Sequence, residues 1–131
     1  HVDRDGNVWV TDARAPTPDE LQKFPGEDKK GSVVIKFSPD GKVLMTLGKP
    51  GVRGNPPDAL TDPNDVVTDP ENGDVYVAES HTNVEDPNLI GRISVFDRNG
   101  KLWVGRPDGL YRLRDDGRAL LRAWPLEGAI E

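Results

Sequence analysis

The 131 residues suffice for about one domain, and 34% apolar residues with 14 Gly allow a single modest core. The 17 Lys+Arg against 23 Asp+Glu leave a net charge of −6 with no basic cluster, which argues against a nucleic-acid partner. No apolar run exceeds the four residues Val75 to Ala78, so no membrane span is expected, and the chain opens at His1 without a signal-like segment.

The chain begins with a turn, Asp5-Gly6-Asn7, that leads into the strand-like run Val8-Trp9-Val10-Thr11-Asp12. A long connection follows over residues 13–31. Within it, Thr17-Pro18-Asp19-Glu20 has the form of a capping box, predicting a helical turn or two through Leu21 to Phe24 that Pro25-Gly26 ends. The strand Val34 to Pro39 then meets the turn Asp40-Gly41-Lys42 and returns as Val43 to Leu47. After the connection 48–63 the same grammar recurs: an inner strand opening near Asp65, the turn Asn72-Gly73-Asp74, the strand Val75 to Glu79, the connection 81–91, the strand Ile93 to Arg98 and the turn Asn99-Gly100-Lys101. The tail adds Leu102 to Arg106, Leu110 to Asp115, the turn Asp116-Gly117-Arg118 and Ala119 to Trp124.

Asp-Gly and Asn-Gly supply the positive φ of tight two-residue hairpins, so the chain reads as a series of antiparallel hairpins. Repeated short β units with Gly turns and aromatics cannot each bury both faces alone, which points to an all-β partial β-propeller. About three blades built from antiparallel meanders are expected, over residues 1–50, 51–100 and 101–131, the last one shortened. Trp9, Tyr76 and Trp103 fall at equivalent repeat positions and are expected in the inter-blade core. The short Gly turns belong to one end of the meanders and the long connections to the other, where any binding surface is expected.

The spacing breaks near residue 100. From Gly6 to Gly41 is 35 residues and from Gly73 to Gly100 is 27, yet from Gly100 to Gly117 is only 17. Asn99-Gly100-Lys101 thus both closes the second unit and opens the third, which implies a join there: a lost segment, a recombination or a truncated reading, against a naturally shortened blade.

The ordered motifs Asp5-Gly6-Asn7-x-Trp9-Val10-Thr11-Asp12, Lys36-Phe37-Ser38-Pro39-Asp40-Gly41-Lys42, Leu47-Gly48-x-Pro50-Gly51, Pro63-Asn64-Asp65-Val66-Val67 and Gly91-Arg92-Ile93-x-Val95-Phe96 resemble those of NHL-repeat six-bladed propellers. More narrowly, residues 2–101 resemble bacterial relatives of peptidyl-α-hydroxyglycine amidating lyase. That resemblance implies a metal-dependent carbon–nitrogen lyase releasing a peptide amide and glyoxylate, in a periplasmic or extracellular setting. It also implies zinc histidines from segments that would fall before His1 or after residue 101, and a tyrosine where His81 stands; no His follows His81. Residues 101–124, with Leu102-Trp103-Val104-Gly105 and Gly109-Leu110-Tyr111-Arg112-Leu113, resemble sensor-type propeller repeats.

His81, opening the second long connection, is the candidate general base or metal ligand, against a plain loop histidine. Asp12, Asp65 and Glu79 are expected near the long-loop end, where gathered carboxylates with His81 suit Ca2+ or Zn2+. Alternatively Asp65 caps backbone amides while Asp12 and Glu79 pair with Arg14 or Arg92. Asp3-Arg4-Asp5-Gly6 is a turn and not an EF-hand opening, since its Gly stands at the fourth position rather than the sixth. With no Cys there is neither a disulfide framework nor a thiolate site.

Two functional classes follow: a non-catalytic interaction scaffold, which is favoured, and part of a metal-assisted lyase or lactonase-like propeller enzyme. The expected partners are a protein or peptide, or a second copy. With so few blades the terminal faces are left bare, exposing Val8, Val10, Leu110 and Leu113 to self-association or to the rest of a larger propeller.

Overall fold

The computed structural model describes residues 1–54, 59–79, 92–106, 109–113 and 120–125, with side chains described as far as residue 103. The first sheet contains β1 (Val8–Asp12), β2 (Val33–Phe37) and β3 (Val43–Leu47). The second contains β4 (Pro63–Thr68), β5 (Val75–Glu79), β6 (Arg92–Phe96), β7 (Leu102–Arg106), β8 (Gly109–Leu113) and β9 (Leu120–Pro125). Each strand is hydrogen-bonded antiparallel to the next within its sheet, so the described chain is almost wholly β meander, as a partial propeller requires. The helical exception is α1 (Pro18–Lys23), which has the full capping box: Thr17 Oγ1 accepts from the Glu20 amide and the Glu20 carboxylate from the Thr17 amide. A 3-10 turn, Pro25–Glu27, ends it.

The hairpin turns differ from the two-residue type. In the turns at Gly6, Gly41 and Gly100, only the Gly has positive φ (82°, 85° and 80°), and its amide donates to the carbonyl three residues earlier. These are three-residue loops in which a type I turn is completed by a left-handed glycine. What selects them is the first residue of each turn. Asp3, Ser38 and Asp97 each accept the amide four residues on through a side-chain oxygen, at 2.9, 3.0 and 3.0 Å.

The two sheets stack through one apolar layer. Trp9, Val34 and Leu47 of the first sheet pack with Val66, Val75, Val77, Phe96 and Leu102 of the second. Leu60, from the connection between the sheets, joins them. Strand alternation makes this possible: Val75 and Val77 share a face, as do their cross-strand partners Thr68, Val66 and Phe96.

The third unit departs from expectation. Its three strands form, but β7 pairs with β6 through Phe96↔Leu102 and Val95↔Trp103, so β7 to β9 extend the second sheet rather than stacking as a separate one. The Phe96↔Leu102 pair matches Phe37↔Val43 of the first sheet, so β7 pairs with β6 as β3 pairs with β2. Asn99-Gly100-Lys101 is therefore the second unit's late hairpin alone. The turn Asp116-Gly117 lies outside the described residues.

Candidate functional site

The long-loop end gathers the sequence-derived candidates in number but not in space. β1 ends at Asp12, β5 ends at Glu79 and β4 begins near Asp65, which brings all three to one end of the meanders. Alternation then separates them. Asp12 lies on the outer face of the first sheet with Val8 and Val10, and Asp65 on the outer face of the second, opposite Ala78. Glu79 points between the sheets with Val75 and Val77. Among the described residues no three His, Cys, Asp or Glu side chains are placed to hold a metal ion. Asp12, Asp65 and Glu79 thus share one end of the meanders but not one face; His81 lies outside the described residues.

Each of the three carboxylates has a local duty. Asp65 Oδ1 accepts from the Val66 amide at 2.8 Å, the capping alternative. Asp12 Oδ2 accepts from the Gly31 amide at 3.0 Å, and a Cβ at Gly31 would stand 1.9 Å from the Arg14 carbonyl oxygen. That contact needs glycine, and it ties the end of the first long connection back to its start. Arg14 pairs with Glu20 rather than Asp12, through two bonds of 2.9 and 2.8 Å.

Glu79 is only 1% exposed and anchors a buried polar network. Its Oε1 accepts from the Thr61 amide at 2.6 Å and from Arg92 Nη2 at 2.9 Å. Its Oε2 accepts from Arg92 Nε at 3.0 Å and from the Ser94 hydroxyl. Both oxygens of a buried carboxylate are thus engaged by a bidentate guanidinium, a hydroxyl and an amide, the arrangement that makes a charge tolerable in a core. Such a carboxylate has no lone pair left to offer a cation without breaking the core, so these residues do not fit a metal centre at Glu79. Next to it, Arg53 grips Asp62 with bonds of 3.0 and 2.6 Å, and Thr61 Oγ1 donates to the Gly54 carbonyl at 2.6 Å. Sequence reasoning missed the Arg53–Asp62 pair, because nothing in the order of residues 48–63 marks Asp62 as turning back toward Arg53.

The first long connection forms a concavity of about 480 Å³ between α1 and the end of β1, lined by Asp12, Arg14, Glu20 and Phe24. Arg14 and the Thr17 amide pull the exposed Glu20 carboxyl from the ordinary 4.5 down to about 2. A depressed folded value means that this contact contributes fully above about pH 4.5 and is lost as pH falls through about 2. The α1 connection is expected to loosen over that window while the sheets persist. Amide protection of Leu21 and Phe24 read against pH by NMR checks it, and protection unchanged down to the acid limit would contradict it.

A second cleft, of about 350 Å³, lies at the short-turn end between the sheets, lined by Asp3, Trp9, Lys36, Thr68, Asp69 and Arg98 among others. Trp9 Nε1 donates to Asp3 Oδ2 at 2.9 Å, and the Lys36 ammonium sits 5.2 Å from the Trp9 ring centre. Burial pushes the Asp3 carboxyl up, but Trp9, the Asn7 side chain and the Asn7 and Asp5 amides outweigh it and hold it below the ordinary range. Arg4 donates across the cleft to the Pro70 carbonyl, and Arg98 donates within the second sheet to the Asn72 carbonyl, so these cations fasten the turns together.

Apart from Asp12 and Asp65 at their long-loop ends, the outer faces expose apolar side chains. On the first sheet Val8, Val10 (42% exposed), Val43 and Leu44 face out; on the second, Val67, Tyr76 (37%) and Ile93 (63%) do. Trp9 is inter-sheet core as expected, but Tyr76, its repeat equivalent, is on a bare face. Leu110 and Leu113 lie on β8, outside the described side chains. No described helix is long and apolar enough to cross a membrane. The chain matches no protein-family model, and no solved structure matches it significantly.

Proposed function

We propose that this chain is a segment of an NHL-type β-propeller that acts as an interaction scaffold rather than as a catalyst, engaging a protein partner through its sheet faces. The observation that carries this reading is the pair of bare apolar faces, one on each sheet, flanking a single buried layer. Apolar side chains exposed together on a sheet are the signature of a surface meant to be covered. One of the candidate metal ligands, Glu79, is meanwhile committed to the core through Arg92, Ser94 and Thr61.

The test is a hydrophobic-dye titration in dilute solution. The chain is expected to enhance dye fluorescence, and the double variant Val10→Lys/Ile93→Lys to lose most of the enhancement at an unchanged circular dichroism spectrum. Equal dye binding by both proteins would count against the scaffold. Stoichiometric zinc or calcium that disappears on Asp65→Asn would replace it with the metal-enzyme reading.

A further inference from the structure

We infer that the partner of each bare face is a second copy of this chain, added head to tail, with the outer face of one copy's second sheet packed on the outer face of the next copy's first sheet. The inference rests on the scaffold reading and specifies what covers the faces.

The argument comes from the repeat itself. β1 and β5 are equivalent strands, Val8-Trp9-Val10-Thr11-Asp12 and Val75-Tyr76-Val77-Ala78-Glu79, yet they bury opposite faces. Val8, Val10 and Val43 are exposed on the first sheet, while their equivalents Val75, Val77 and Leu102 are core on the second. Conversely Tyr76 and Ile93 are exposed on the second sheet, while their equivalents Trp9 and Val34 are core on the first. The equivalence is structural as well as sequential, since Phe37↔Val43 and Phe96↔Leu102 are the same cross-strand pair beside the same kind of turn.

The sheet-to-sheet contact inside the chain therefore joins one face of the aromatic kind, carrying Trp9 and Val34, to one face of the valine kind, carrying Val75 and Val77. The two faces left bare are again one of each kind. A second copy brought up by twice the rotation that relates the two sheets would repeat a contact the molecule already makes. Packing like on like, as a two-fold dimer through one face would, has no precedent in the chain. Repetition of one rotation closes a ring when the angle divides a full turn. Rings of roughly four to eight blades correspond to about two to four copies of a two-sheet unit.

Sedimentation equilibrium over the micromolar range tests this. The chain is expected to sediment as a closed multiple of its 14.4 kDa mass, with dye binding falling as the multiple forms. Val10→Lys and Ile93→Lys should each weaken association ~10-fold or more, because each leaves an unpaired charge in an apolar contact. Mixed in equal amounts, the two variants should form a dimer that grows no further, since each supplies the face the other has lost. Unchanged unfolding midpoints keep the comparison valid, and Val10→Thr with Ile93→Thr serves if a lysine variant does not fold. Association undiminished in either single variant, or no dimer on mixing, overturns the head-to-tail contact. A chain that stays monomeric while binding dye overturns it too but leaves the scaffold standing. A monomer that binds no dye removes both.

Discussion

Replacing Glu79 with alanine is expected to lower the unfolding free energy by about 3–5 kcal/mol, the cost of removing one partner from a buried charge pair. Arg92 would lose both of its bonds to the carboxylate, and the Thr61 amide and Ser94 hydroxyl would be left facing an apolar layer. Arg92→Ala should cost a comparable amount by stranding the carboxylate itself. The double variant should cost clearly less than the two single effects combined, because the second removal relieves the orphan created by the first. Glu79→Gln keeps one acceptor and should fall between. Urea unfolding at neutral pH measures all four; domains of this size hold about 5–15 kcal/mol, so the alanine variant should be visibly marginal. A cost below about 1 kcal/mol would show that Glu79 is not an anchor of the second sheet and would reopen it as a ligand.

Trp9→Ala is the second large effect, expected at about 3–5 kcal/mol for a buried aromatic cut back to a methyl group. At 3% exposed it sits in the inter-sheet layer, and its indole N–H satisfies Asp3, which in turn organises the Gly6 turn through the Asp5 and Asn7 amides. The loss is therefore a cavity together with a carboxylate missing a donor. Trp9→Phe separates the two, since it retains most of the volume and gives up the hydrogen bond, for about 1–2 kcal/mol. The informative control is Tyr76→Ala. Tyr76 holds the same repeat position but faces outward, so in dilute solution its removal should change stability by less than about 1 kcal/mol. Equal costs at Trp9 and Tyr76 in dilute solution would contradict the assignment of buried and bare faces.

The capping box at Thr17 was fully legible in the sequence, because its three components lie within four residues and act through local hydrogen bonds. The candidate site was legible only in part. The pairing of Glu79 with Arg92 and the capping by Asp65 follow from strand neighbours and adjacent amides, and both were among the alternatives the residues suggested. That Asp12 and Asp65 stand on opposite outer surfaces was not legible. Their positions at one end of the meander follow from chain direction, but their separation follows from which side of each sheet is covered.

What the sequence by itself determined is the β meander, the places of its turns and the short helix, since turn chemistry and period-two alternation act over a few residues. Tertiary structure alone decided which face of each strand is buried. Val8-Trp9-Val10 and Val75-Tyr76-Val77 are apolar on both sides, so the pattern carries no preference, and the face that meets the other sheet becomes core. It also decided the fate of the third unit. Leu102-Trp103 resembles both the strand after an early turn and the strand after a late one, and only hydrogen bonding to β6 made it the strand that follows a late turn. In both cases the local sequence is degenerate, and the choice is made by a neighbour distant along the chain, whose unpaired backbone groups or apolar surface can be satisfied in one arrangement only.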